Sequence, residues 1–296
     1  MSVEEILERN ARLVEDFTVN HLTREGVPPV LWESVIYGAK GGKKLRASLL
    51  FATVGAYHIE GEQVLPLAAG IEMMHSFSLV HDDLPCMDND DFRRGKPSLH
   101  RAFGEAMGVL AGDALLVEGL RMFVENEEFL KNFGWRKTVA VVQVLLRALG
   151  NQGMVGGQVL DLLYQGKEEV QEGEVIDMYR RKTALFIQAP ILCGGILGGA
   201  PKKEQKALAQ FGLLLGECFQ IKDDILDVTQ ESARLGKTAG KDLAQGKATL
   251  VRVKGVQEAE KIMHDKFQTA YQILESLPRD FSLLLALSHF VITREY

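Results

Sequence analysis

Ile71-Glu72-Met73-Met74-His75-Ser76-Phe77-Ser78-Leu79-Val80-His81-Asp82-Asp83 is mostly apolar until it ends in two adjacent carboxylates. A helix with so little polar face belongs inside a core. Pro85 disfavours helical geometry at Leu84, so the helix spanning Val64 to Asp83 finishes with Asp82 and Asp83 in its last turn. Helical spacing recurs on either side of it. Val3 to Val19 places Ile6, Leu7, Val14 and Phe17 on one face and charges on the others. A short helix after Val27-Pro28-Pro29 runs to about Ala39, and Gly41-Gly42 stops it. Further helices are expected at Leu45 to Tyr57 and at about 105–124, 136–149, 151–164, 174–198 (kinked at Pro190), 202–231, 255–276 and 279–293. An irregular, charge-dense segment runs from about Leu84 to Pro97, and no sustained apolar–polar alternation with sheet-type turns is found. The expected fold class is all-α, one large helical domain over residues 1–296, with two small helical domains joined near residues 125–135 as the alternative.

Of the 296 residues, 46% are apolar and 25% charged, which excludes disorder as a global description. Forty Asp+Glu against 34 Lys+Arg leave a net charge of -6, so a nucleic-acid partner is not expected. Cys86, Cys193 and Cys218 lack metal-like spacing, and an odd number suits no closed disulfide framework. A reducing, cytoplasmic location is the simple expectation. The acidic, amphipathic N-terminus resembles neither a secretory signal nor an Arg-rich transit peptide. Ala184 to Ala200, the most apolar stretch, is interrupted by Gln188 and Pro190, so no membrane span is expected there.

The sequence Asp82-Asp83-Leu84-Pro85-Cys86-Met87-Asp88-Asn89-Asp90-Asp91 is chemically unusual. Most charge clusters are solvated faces. Here the acids close a buried helix, where the helix dipole and neighbouring carboxylates both oppose negative charge. A bound cation would resolve that conflict. A second cluster, Asp223-Asp224-Ile225-Leu226-Asp227, also follows a largely apolar stretch, and its spacing puts Asp223 and Asp227 on one helical face. Carboxylates without nearby His or Cys suit hard cations, Mg²⁺ first, bridged to substrate phosphates. An EF-hand fits poorly, because apolar side chains would fall at positions that need oxygen ligands.

Basic residues complete the pattern. Arg93 and Arg94 directly follow the first cluster, and guanidinium groups hold phosphate oxygens bidentately. Gly41-Gly42-Lys43-Lys44-Leu45-Arg46 sits at a helix N-terminus, a natural anion site, but lacks Walker A spacing. Lys182-Thr183, Lys237 and Lys247 add cations, although each lysine taken singly reads as a surface residue. Together these features suggest two anionic groups, one held through Mg²⁺ and one held directly.

This constellation resembles the trans-isoprenyl diphosphate synthases, all-helical enzymes with a central active-site cavity. HDDLPCMDNDDFRRGKP resembles the family's first Asp-rich motif in its longer form, and FQIKDDILD resembles the second. GGKKLR, Gly156-Gly157-Gln158 with Asp161, Lys182-Thr183, and LGKTAGKD with Lys247 match the remaining signatures in order, over roughly residues 35 to 250. Lys222 departs from the Gln common in bacterial relatives. The resemblance implies that Asp82, Asp88 and Asp223 bind Mg²⁺, three ions per active site with Mn²⁺ as an alternative. Asp83 joins them as ligand or support, while Asp224 and Asp227 act through water or from the outer shell. It further implies that Arg93 contacts the allylic diphosphate and that Lys43, Arg46, His75 and Arg94 hold isopentenyl diphosphate. Lys182, Thr183, Gln220, Lys237 and Lys247 complete the diphosphate contacts, and the family usually forms homodimers. Taken alone, His75 reads as a core histidine, but it lies about two turns before Asp82 on the same face.

The implied reaction is ionisation of an allylic diphosphate, attack by the isopentenyl double bond, and loss of a proton to the departing diphosphate. Phe77, about 7.5 Å before Asp82 along the helix, resembles the floor of a short-chain synthase, with small Ser78 beside it. A farnesyl (C15) product is expected, with geranylgeranyl (C20) as the alternative. A class I terpene cyclase would carry an Asn/Ser/Glu-type second motif, and a silent regulatory subunit often lacks an Asp cluster. Both clusters are intact.

Overall fold

The computed structural model describes residues 1–229 and 246–294, and these are almost entirely helical. Lys237, one of the expected cations, lies outside them. The chain divides into two compact units, one of Met1–Phe51 with Glu60–Thr138, the other of Ala52–Ile59 with Val139–Tyr296.

In the first unit, α1 (Val3–His21) begins with a reciprocal capping box. The Ser2 side chain accepts from the Glu5 N–H, and the Glu5 carboxylate accepts from the Ser2 N–H. Next come α2 (Pro29–Ala39), started by proline in its first turn, and α3 (Leu45–Gly55), whose last residues belong to the second unit. The helix that ends in the acidic pair is α4 (Leu65–Asp82). Beyond it lie a short hairpin, β1 (Phe92–Arg93) and β2 (Lys96–Pro97), then α5 (Leu99–Phe103) and α6 (Glu105–Val124). Leu67, Ile71, Met73 and Met74 of α4 are buried in this unit, as are Ala111 and Leu115 of α6. The two helices touch at glycines: a Cβ on Gly70 would lie 2.2 Å from the Gly119 carbonyl oxygen.

α7 (Glu127–Leu149) leads into the second unit, which continues with α8 (Met154–Tyr164) and α9 (Glu172–Tyr179). A π-helical turn at Arg180–Ala184 precedes α10 (Leu185–Leu197) and α11 (Lys202–Thr229). The remaining helices are α12 (Leu250–Lys254), α13 (Val256–Glu275) and α14 (Ser282–Thr293). α11 meets both α10 and α13 and buries Phe211, Leu215, Cys218 and Ile221, an apolar stripe at helical spacing.

The all-α expectation holds, with local differences. α7 begins earlier than expected because the Asn126 side chain accepts the Phe129 N–H, an N-cap for an extra segment that ends where Gly134 leaves helical geometry at φ 71°. The irregularity in the 174–198 stretch falls at the π turn, while Pro190 lies within α10. The hairpin escaped notice because two-residue strands are too short to show alternation. By length and composition one stretch, Glu127–Tyr164, could cross a membrane. It is two helices separated by a turn and carries Arg136, Lys137, Arg147 and Asp161, which argues against that role. All three cysteines are free thiols.

The Gly70–Gly119 contact sets how closely α4 and α6 approach. Gly70→Ala should cost about 1–3 kcal/mol or more, because a backbone carbonyl and not a flexible side chain must yield. A melting temperature lower by several degrees is expected, and an unchanged one would show that this approach is not tight.

Candidate active site

The acidic loop doubles back onto the end of α4. The Asp88 N–H donates to the Asp82 carbonyl at 2.8 Å, and the Asp90 N–H donates to that of Asp83 at 3.2 Å. In the β1–β2 hairpin, Arg94 and Gly95 both have positive φ (54° and 72°), the signature of a type I′ turn matched to strand twist. That turn sends the two arginines in different directions.

Arg93 returns to α4. Its Nε and Nη2 close on the Asp83 carboxylate, Nη2 to Oδ1 at 2.5 Å, and Nη2 also reaches Asp90 Oδ2 at 3.2 Å. Burial raises the Asp83 carboxyl above its usual range, while the Arg93 hydrogen bonds pull it back. Burial likewise opposes the Arg93 charge, but Asp83 and Asp90 outweigh it, so the guanidinium stays ionised. The cation that relieves Asp83 at the helix C-terminus is therefore Arg93. Asp83, 2% exposed, is held by Arg93 on its carboxylate, an arrangement that suits the supporting role. Asp91 holds Arg101 at 2.5 Å. Asp82 and Asp88 are the half-exposed acids of the cluster.

Arg94 points toward the glycine loop, where its Nη1 donates to the Lys40 carbonyl at 3.1 Å. A Cβ on Gly42 would lie 2.8 Å from the guanidinium carbon, and Gly41 and Gly42 have φ of 83° and 82°. Only glycine meets both demands at position 42. The two adjacent lysines then separate. Lys43 is exposed, whereas Lys44 (φ 48°) turns inward and donates its ammonium to the Ala39 carbonyl at 2.7 Å. Burial lowers the Lys44 pKa to about 8, with Glu72 raising it and Arg94 lowering it. Glu72, itself 3% exposed, accepts the Ala47 N–H at 2.9 Å.

His75 lies within the field of these cations. Burial first, then the charges of Arg46, Arg94, Lys44 and Arg93, hold its pKa well below the usual histidine value, so the ring is neutral at pH 7. Its Nδ1 is buried without a hydrogen-bond partner. Between the hairpin and α4, a cavity of about 40 Å³ is lined by Lys40, Ser76, Asp83, Arg93, Arg94 and Lys96. Phe77 stands edge-on to His81 (5.1 Å, 78°), and His81 Nε2 lies 3.0 Å from the Val109 carbonyl. The Ser78 hydroxyl donates to the His75 carbonyl at 2.8 Å.

In the second unit, the π turn carries Lys182 and Thr183, a frequent use of such turns at functional sites. Gly157 lets α8 reach it, since a Cβ there would lie 2.2 Å from the Lys182 nitrogen. Lys182 Nζ pairs with Asp161 at 2.5 Å. The Thr183 hydroxyl donates to Gln220 Oε1 at 2.7 Å, and Gln220 Nε2 donates to Asp224 Oδ1 at 3.0 Å. The other Asp224 oxygen accepts from the Tyr179 hydroxyl. Asp224 and Asp227 are each 2% exposed, as outer-shell residues would be. Asp223, half-exposed, pairs with Arg294 at 2.5 Å. Lys222 and Lys247 are half-buried.

Among the described residues no three His, Cys, Asp or Glu side chains converge into a closed metal cage. The half-exposed carboxylates Asp82, Asp88 and Asp223 nevertheless offer oxygen donors of the kind Mg²⁺ takes while keeping water or phosphate in its other positions. The residues that sequence reasoning missed as site partners are Asp90, Lys44, Glu72, Tyr179 and Arg294. Asp90 and Lys44 lie inside the quoted motifs without a role of their own, Glu72 shows as a lone charge in an apolar helix that must find a partner, and Tyr179 and Arg294 left no signal.

The sequence profile of the polyprenyl synthetase family matches residues 28–280. The chain is 34% identical to the farnesyl diphosphate synthase of Geobacillus stearothermophilus, over 100% of this chain and 99% of that protein. It is 38% identical to a chloroplastic geranylgeranyl pyrophosphate synthase of Catharanthus roseus, over 93% and 76%. A Helicobacter pylori geranyltransferase, solved with magnesium and isoprenyl diphosphate, superposes with a TM-score of 0.82 at 29% identity, covering 99% of this chain and 97% of that one. The chain belongs to the polyprenyl synthetase family.

The buried Lys44 ammonium has a measurable signature. Its folded pKa of about 8 lies below its ordinary 10.5, so the unfolded chain binds the proton more tightly between those values. The cost to stability is fully present below about pH 8 and is relieved as pH rises toward 10.5, about 3 kcal/mol in all. Urea unfolding of Lys44→Met beside wild type should show wild type gaining that much relative stability across the window. A pH-independent difference would refute a buried charge.

Proposed function

We propose that this chain is a short-chain isoprenyl diphosphate synthase. It condenses isopentenyl diphosphate head-to-tail with dimethylallyl and geranyl diphosphates and stops at farnesyl diphosphate. The observation that carries this reading is the neutral His75, with its unpartnered Nδ1, amid Arg46, Arg93, Arg94 and Lys44 and two turns before the acidic loop. Such a cationic recess beside half-exposed carboxylates suits two diphosphates, one held directly and one through metal. The family profile runs from 28 to 280 through both units, which supports treating them as one catalytic domain.

Asp82, Asp88 and Asp223 are the proposed Mg²⁺ ligands, with Mn²⁺ as a substitute and three ions the expected complement. When bound, the metal supplies stabilisation of the charge that builds on the departing diphosphate. Asp83 and Asp90 keep Arg93 aimed at the allylic diphosphate, and Lys182, Thr183, Gln220, Lys237 and Lys247 hold further oxygens. Lys43, Arg46, Arg94 and His75 hold isopentenyl diphosphate. Neutral His75 can donate an N–H without adding charge. Preorganised donors of this kind cost no reorganisation as the C–O bond breaks. The proton released after coupling passes to the departing diphosphate, so no side-chain base is required.

The C15 product rests on Phe77 as floor and on the bacterial farnesyl synthases among the relatives. Plant geranylgeranyl synthases of similar identity keep C20 as the second reading. With Mg²⁺, isopentenyl diphosphate and C5, C10 or C15 primers, the purified chain should yield mainly C15, and no condensation with any primer would overturn the reading. Asp88→Asn should lower kcat/KM on the order of a hundredfold or more. Phe77→Ala should lengthen the products, and an unchanged distribution sinks the floor assignment.

We also infer a homodimer. Val109, Leu110 and Val117 leave an exposed apolar row on α6, and Val155, Val159, Leu162 and Leu163 do the same on α8. Sedimentation at twice the 32.8 kDa chain mass is expected, and a monomer at micromolar concentration would contradict it.

A further inference from the structure

Tyr179 ends α9 at 2% exposure, and its hydroxyl serves two partners. It donates to Asp224 and accepts the Leu250 N–H at 2.7 Å. Leu250, fully buried, opens α12 just after Lys247-Ala248-Thr249, and an N–H in a helix's first turn has no intrahelical acceptor. Without the hydroxyl that donor would be stranded in the core. On the other side of Lys247, the Gly246 carbonyl accepts from the Gly166 N–H at 3.0 Å and from Arg252 Nη1 at 2.8 Å. Arg252 Nη2 reaches the Lys167 carbonyl at 2.7 Å. The short stretch that carries Lys247 is therefore fastened at both ends, by Arg252 at one and Tyr179 at the other. The Tyr179 end is tied to the same carboxylate that orients Gln220 and, through it, Thr183.

We propose that Tyr179 and Arg252 are positioning residues for Lys247. They hold its segment in register with the second Asp cluster so that its ammonium meets a diphosphate. This deepens the proposed function, which gives Lys247 a diphosphate contact, and adds two residues outside every motif. Neither touches the substrate; both act through backbone that flanks Lys247.

The test is a double-mutant cycle on the full chain with Tyr179→Phe, Lys247→Ala and the pair, and the parallel set with Arg252→Ala. Calorimetry with inorganic pyrophosphate and Mg²⁺ reads the affinity, and steady-state assays separate kcat from KM for the allylic substrate. Tyr179→Phe should weaken pyrophosphate binding about tenfold in the wild-type background and have almost no further effect once Lys247 is alanine. Equal losses in both backgrounds, or no loss in either, overturn the proposal. If Tyr179→Phe fails to fold, judged by circular dichroism and melting, the Arg252 set decides by the same criterion. The pyrophosphate cycle needs no condensation, so its outcome is separate from that of the primer assay.

Discussion

Asp83 lies 2% exposed at the C-terminal end of a buried helix, where the helix dipole and its acidic neighbours both oppose a negative charge. Arg93 makes that position tolerable. To reach it the chain must return from the acidic loop, so the loop hydrogen-bonds back onto Asp82 and Asp83, and a tight hairpin reverses direction at Arg94-Gly95. The reversal throws Arg94 to the opposite side, onto a loop that tolerates it only because position 42 is glycine. From one buried ion pair follow the hairpin, the placement of both arginines and the glycine pair of the basic motif. A buried pair of this sort is weak evidence for stability in itself. What it supplies here is direction.

The same requirement sorts the carboxylates. Several of those deep in the protein are taken up by protein groups: Asp83 by Arg93, Asp161 by Lys182, Asp224 by Tyr179 and Gln220, and Glu217, fully buried, by Arg180 and Lys266. Asp82, Asp88 and Asp223 keep partial exposure. Burial thus separates enclosed acids from acids that solvent can reach, a distinction that spacing within a cluster does not make. Asp223 illustrates it, since its Arg294 contact reaches a half-exposed oxygen pair that water and ions can also approach.

Most helices and both Asp clusters were legible because periodicity and composition are local signals. Pro85 located the end of α4 correctly, and the glycines stopped α2 where expected. What was illegible depends on contacts remote in sequence. Nothing near Arg294 announces Asp223, and nothing near Tyr179 announces Leu250. Lys43 and Lys44 read alike as residues, yet a positive φ sends one inward and leaves the other exposed. Within the acidic cluster, Arg93 is the cation that meets Asp83, a partner ten residues away that the cluster's own spacing does not single out. The hairpin was missed because its information lies in two φ angles and not in any pattern of hydrophobicity.

The net charge of -6 speaks against a nucleic-acid partner but not against small anions, because charge acts over about a Debye length, roughly 8 Å at physiological salt. At His75, burial first and then the charges of Arg46, Arg94, Lys44 and Arg93 hold the pKa well below the usual histidine value. An uncharged ring amid cations is informative. A protonated histidine there would add repulsion to an already crowded set, whereas a neutral one contributes a directional N–H or lone pair at no electrostatic cost. Under the proposed function, the cations attract an anion and the neutral ring orients it. Under that reading a histidine serves the helix face two turns before the acids better than another lysine, whose charge would add to the crowding.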